Sequence, residues 1–147
     1  MSTNQSSEDA RRTALHTLDR LVGTWAVDGP SSHGTVRYAW FEDDAFLVQT
    51  VDLVADGEVT RGVEYIGWDP QSKTLRSHFF GNSGEILEYT YDLSGDTLTI
   101  WFGGPGSPAK FVGTFDATGN HNTGAWQWPG GGYESNMHHI QEEEVGP

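Results

Sequence analysis

Glu64 sits in the middle of a β-rich run, Gly62-Val63-Glu64-Tyr65-Ile66, with apolar neighbours on both sides. A carboxylate there has two readings. Facing outward, it joins a surface cross-strand pair, and this is the reading the pattern favours. Facing inward, it needs a partner, because an unpaired buried carboxylate is costly. Arg37 and Arg76, themselves mid-strand, are the candidate partners. An inward Glu64 would serve as a polar anchor for a ligand, or as a general base with a raised pKa. His78, just before Phe79-Phe80, is the second such residue. It reads as a hydrogen-bonded core histidine first, and as an acid–base group or ligand contact second. His138 and His139 are adjacent, so on a strand they point to opposite faces and cannot hold one metal together. One of the two must face inward.

Aromatic residues supply the apolar counterpart. The chain has six Trp, five Tyr and seven Phe. Such residues either fill a core or wall a ligand cavity. Trp25 reads as a structural plug, whereas Trp40, Tyr89, Tyr91 and Trp126 divide evenly between cavity wall and simple packing. Other chemistries lack their residues. There is no His-x-x-x-His pair, EF-hand spacing, Gly-x-Ser-x-Gly elbow or phosphate-binding Gly-Lys loop. Absence of Cys removes disulfides, zinc–thiolate sites and cysteine nucleophiles together. No metal site is therefore expected.

Charge narrows the partners further. Eight Lys and Arg face 21 Asp and Glu, a formal net charge of -13. A nucleic-acid partner needs a basic stripe, and none exists; anionic membranes are disfavoured for the same reason. The first residues carry neither the basic nor the apolar region of a secretory signal, and the cytoplasm is the expected compartment. A homodimer is compatible with this reading.

These residues need elements to hold them. Residues 1–7 read as a flexible tail. Ser6 or Ser7 then caps a short helix with Glu8 and Asp9 in its first turn, and Leu15, Leu18, Leu21 and Val22 form one apolar stripe ending near Gly23. Beyond Gly23 the chain reads as strand, turn, strand. Turn signals such as Asp56-Gly57, Asp69-Pro70, Ser94-Gly95 and Pro129-Gly130 separate about ten segments rich in Val, Thr, Phe, Tyr and Trp. In Leu87-Glu88-Tyr89-Thr90-Tyr91-Asp92-Leu93 the odd positions are apolar and should face inward. The expected fold is all-β: an up-and-down antiparallel barrel of about ten strands over residues 8–141, closed to remove its edges, with a short N-terminal helix. Residues 142–147, with Glu142-Glu143-Glu144, read as an acidic tail.

Several segments also carry a resemblance. Leu21-Val22-Gly23-Thr24-Trp25 after a short helix resembles the Gly-x-Trp opening of calycins: lipocalins, fatty-acid-binding proteins and nitrobindins. Gly62-Val63-Glu64-Tyr65-Ile66-Gly67-Trp68-Asp69, His78-Phe79-Phe80-Gly81-Asn82-Ser83-Gly84 and Gly124-Ala125-Trp126-Gln127-Trp128 extend it. Together they resemble a bacterial family of small lipocalin-like domains without an assigned function, over roughly Leu15 to Ile140. The resemblance implies an antiparallel β-barrel and no particular activity. It also implies an Arg in the last strand packed over the opening Trp, yet no Arg or Lys follows Lys110. Nitrobindins carry a haem-ligating His late in the chain, so the resemblance extends to haem on His138 or His139. The Pro-Thr-Ile segment that follows the opening Trp in nitrobindins is absent, and His33-Gly34-Thr35-Val36 stands in its place.

The leading expectation is therefore a barrel that binds a small hydrophobic or aromatic molecule without a cofactor. Trp40, Tyr89, Tyr91 and Trp126 would wall its cavity, with Glu64 and His78 as polar members. The alternatives are an isomerase, cyclase or lyase in which Glu64, His78 and a Tyr share proton transfer, nitrobindin-like haem binding, and an interaction domain with a filled core.

Overall fold

The computed structural model describes residues 2–140, and side chains from residue 7 onward. The expected acidic tail, 142–147, lies outside the described residues. One helix, α1 (Ser2–His16), leads into a 3₁₀ turn (Thr17–Leu21) and ten strands. These are β1 (Gly23–Asp28), β2 (Ser32–Phe41), β3 (Phe46–Ala55), β4 (Glu58–Asp69) and β5 (Thr74–Gly81), followed by β6 (Ile86–Ser94), β7 (Thr97–Phe102), β8 (Lys110–Phe115), β9 (His121–Trp128) and β10 (Gly131–Ile140). Each strand pairs antiparallel with its sequence neighbour, and β1 pairs with β10 to close the barrel. This all-β, up-and-down architecture with an N-terminal helix is the expected one, and it is consistent with a calycin-like fold. No helix among the described residues is long and apolar enough to cross a membrane.

Local chemistry explains the connections. Asp56 and Gly57 take φ of 53° and 80°, the double positive φ of a type I′ hairpin, whose twist matches the flanking strands. The helix departs from expectation at both ends. It starts at Ser2 and not at a Ser6 or Ser7 cap, since Ser2–Ser6 contain no Gly or Pro to interrupt it. At its far end, Leu15, Leu18 and Leu21 recur every three residues. That is the 3₁₀ period, and the chain tightens accordingly. All three leucines are fully buried, whereas Val22, expected on the same stripe, is 38% exposed.

The two ends of the barrel differ. The α1 helix and 3₁₀ turn pack against β4, β5 and β6 and close the end where β1 begins. Trp25 is fully buried there, and its indole N–H donates to the Leu21 carbonyl at 2.8 Å. In place of the Arg that the family resemblance implied, His139 lies against the Trp25 ring at 4.8 Å between centroids. Gly23 makes this contact feasible: a Cβ there would collide with the His139 ring, and its φ of 128° suits glycine alone. The Arg20 guanidinium covers Phe115, whose ring packs on Trp25 from another side. Outside, Arg11 donates to the Asp44 carbonyl at 2.8 Å, and His16 bridges Asp19 and Asp44, tying the helix to the β2–β3 turn. Among the described residues, one buried inward side chain lacks partners. Asn122, level with Phe115 and Met137, has both amide atoms buried and unpaired.

Candidate functional site

Alternation brings one set of side chains inward along every strand. From β2 these are Val36, Tyr38 and Trp40; from β4, Glu64 and Ile66; from β5, Leu75, Ser77 and Phe79; from β6, Tyr89, Tyr91 and Leu93. Near the helix they interlock. Toward the opposite end, where the β3–β4, β5–β6, β7–β8 and β9–β10 turns lie, they leave a cavity of about 570 Å³. That size falls within the range typical of small-molecule sites. Apolar and aromatic groups dominate its wall, among them Val51, Phe79, Leu98, Ile100, Phe111 and Met137. Phe102, Trp128 and Tyr133 stand at its rim and remain 47%, 44% and 38% exposed.

Glu64 is the one acidic side chain in this lining and is 4% exposed. It faces inward, so the outward reading that its sequence context favoured is corrected. The expected arginine partners are absent too. Arg37 alternates to the outside, and Arg76 pairs on the outer surface with Glu88 at 3.3 Å. Hydroxyls replace them. Ser77 Oγ donates to Glu64 Oε2 at 2.5 Å, and Tyr91 Oη donates to Oε1 at 3.0 Å. Burial pushes the Glu64 carboxyl up to about 7, although both hydroxyl donors favour its ionised form. Burial and the nearby Glu64 charge push Tyr89 up to about 12 and hold Tyr38 and Tyr91 well above the usual phenol range. The tyrosines are therefore donors at neutral pH, and Glu64 is the cavity group whose charge changes there.

The structure thus brings Glu64, Tyr89, Tyr91 and Trp126 to one cavity. Trp126 stands 6.0 Å from Tyr89 and 5.6 Å from Phe111, between ring centroids. Two expected members lie elsewhere. Trp40 faces inward but near the helix-covered end, where the His16 ring lies tilted against it at 4.9 Å between centroids. His78 is on the outer face: β5 buries Ser77 and Phe79, so the residue between them must point out. It sits 3.3 Å from Glu88 and stacks on Phe80 in a shallow external groove with Phe46 and Tyr65. His78 accordingly has no access to the carboxyl of Glu64 across the sheet.

The histidines do not fit a haem in this cavity. His138 is exposed beside His121, and His139 is occupied against Trp25 at the closed end. No histidine lines the cavity, and no cluster of three metal-ligating side chains exists among the described residues. Sequence reasoning missed Ser77 and Tyr38 as members of the polar group. Each had a signal in the inward parity of its neighbours, Leu75 and Phe79 for Ser77, and Val36 and Trp40 for Tyr38. A comparison with known proteins finds no family model that matches the chain and no curated protein that matches it.

Proposed function

We propose that this protein is a lipocalin-like member of the calycins that binds one small hydrophobic or aromatic molecule inside its barrel. The observation that carries this reading is the 570 Å³ cavity, walled by apolar and aromatic side chains and holding a single buried carboxyl at its inner end. Apolar walls supply most of the binding free energy, and a few placed polar groups orient the ligand. Trp126 and Tyr89 offer ring faces, while Glu64 and the hydroxyls of Tyr38 and Tyr91 offer polar contacts. An acid–base enzyme on the same barrel is the second reading, favoured by one observation: the Glu64 carboxyl is buried at the cavity between two hydroxyl donors, and burial raises it toward the range where a carboxyl exchanges a proton at neutral pH. In that reading Glu64 acts with Tyr89 or Tyr91 and without His78.

Native mass spectrometry of freshly purified protein, combined with titration of the neutral apolar dye Nile red, tests the binding reading. One dye per chain is expected, with affinity reduced at least about tenfold in Trp126→Ala and Tyr89→Ala. If both variants stay folded and bind the dye as the parent does, the cavity is not the site. Conversion of a co-purified molecule by the parent but not by Glu64→Gln would decide for the enzyme.

A further inference from the structure

Resting on the binding reading above, we propose that the cavity selects apolar molecules that carry a protonated amine, seats the ammonium group on the Glu64 carboxylate, and rejects apolar carboxylates of the same size. The first support is an incomplete ion pair. Glu64 is buried, and among the described residues no cation lies beside it and no Lys, Arg or His lines the cavity. Its inward register neighbours on β3 and β5 are Gln49 and Phe79, neither charged. A carboxylate accepts about four hydrogen bonds. Glu64 receives two, from Ser77 and Tyr91, so half of its capacity remains for an occupant.

The second support is the wall. Phe79, Tyr89, Phe111 and Trp126 present aromatic rings to the same space. Ring faces attract a cation that has shed its water, and they pack an apolar body equally well. An anion meets the opposite conditions. It would be buried beside a like charge with nothing to compensate it, and the net charge of -13 repels it on approach.

The third support is how the site titrates. The groups facing Glu64 are Ser77 from β5, Tyr89 and Tyr91 from β6, Tyr38 from β2 and Gln49 from β3. None of them changes charge between weakly acidic and weakly basic pH, because burial keeps the phenols protonated. The carboxyl alone does so, around 7. Ammonium binding requires its ionised form, so amine affinity rises as pH increases through neutrality and then levels off.

Calorimetric titration with 1-naphthylmethylamine, 1-naphthylmethanol and 1-naphthoate tests this. At about pH 8 the amine should bind at least roughly tenfold tighter than the alcohol, as a charge-assisted contact allows, and the carboxylate weakest. At about pH 5.5 the amine's advantage should fall at least about fivefold, because Glu64 is then neutral. Glu64→Gln should erase that advantage and its pH dependence. Ser77→Ala, which keeps the carboxyl and removes one internal donor, should retain the preference for the amine. Equal binding of amine and alcohol by the parent at pH 8, or a carboxylate bound as tightly as the amine, overturns the proposal and leaves cavity binding standing. Failure of all three probes and of Nile red to bind overturns both.

Discussion

The helix-covered end and the open end of this barrel are built from the same alternation and reach opposite outcomes. At the covered end, Leu15, Leu18, Leu21, Trp25, Leu47 and Ile66 are fully buried, and the indole donor of Trp25 is satisfied. At the open end, Phe102, Trp128 and Tyr133 keep more than a third of their surface in solvent, although they belong to the same inward rows. The difference comes from a cover. Among the described residues the one α-helix covers one end, so inward apolar groups at the other end have nothing to pack against and enclose space. Close packing and enclosed space are thereby assigned to different ends, and substitutions should separate them.

The largest effect belongs to the covered end. Trp25→Ala should lose about 3–5 kcal/mol in denaturant unfolding, as large core truncations do, because His139, Phe115 and Leu21 all rest on that ring. A loss below about 0.5 kcal/mol would mean that the covered end does not hold the barrel together.

Glu64 comes next, at the junction of the two ends. Its carboxyl moves from 4.5 in the unfolded chain to about 7 in the folded one. Between those values the folded state holds a proton that the unfolded state has released. Stability is therefore greatest below pH 4.5 as far as this group is concerned, falls as pH rises, and levels off above 7. The whole change is on the order of 3 kcal/mol. Glu64→Gln should flatten that dependence and raise stability at pH 8 by a similar amount, read from unfolding midpoints at several pH values. A pH slope unchanged by the substitution would contradict the burial of this carboxyl.

A smaller gain is expected from Asn122→Leu, about 1 kcal/mol, because an unpaired buried amide costs more than a hydrocarbon of similar volume. Loss of stability in that variant would show that the amide has a partner in solution. The smallest effect should be that of His78→Ala. A half-exposed side chain paired with Glu88 on the outer face should leave stability within about 0.5 kcal/mol. It should leave Nile red affinity unchanged as well, and a weaker affinity would bring the outer groove into the site.

Particular residues show what the amino-acid sequence makes legible. Tyr89 and Tyr91 alternate with the polar residues Glu88, Thr90 and Asp92, so period-two reasoning puts them inward, where they are. On β4 both faces carry large apolar groups: Val63 and Tyr65 outside, Ile66 and Trp68 inside. The alternation cancels, and the direction of Glu64 cannot be read from it. His78 misleads for a related reason, since Phe80 beside it is 45% exposed and signals a core that is not there. Trp40 exposes a different gap. Alternation tells which face a residue takes but not its height along the barrel axis, and height decides between plug and cavity. The ten-strand barrel itself was legible because its turns carry their own chemistry.

The seam between β1 and β10 has a kinetic consequence. Every other ladder joins strands that are neighbours in sequence and can form as a local hairpin, whereas Thr24 must find Ile140 across almost the entire chain. Loop-closure entropy makes this the most expensive contact to establish. Until it forms, β10 supplies Tyr133 and Met137 to no enclosed space, and the cavity does not exist. On the proposed binding reading, a ligand would bind only after the last stave is in place and would act as a hoop: it would slow the springing of the seam while leaving the rate of assembly untouched.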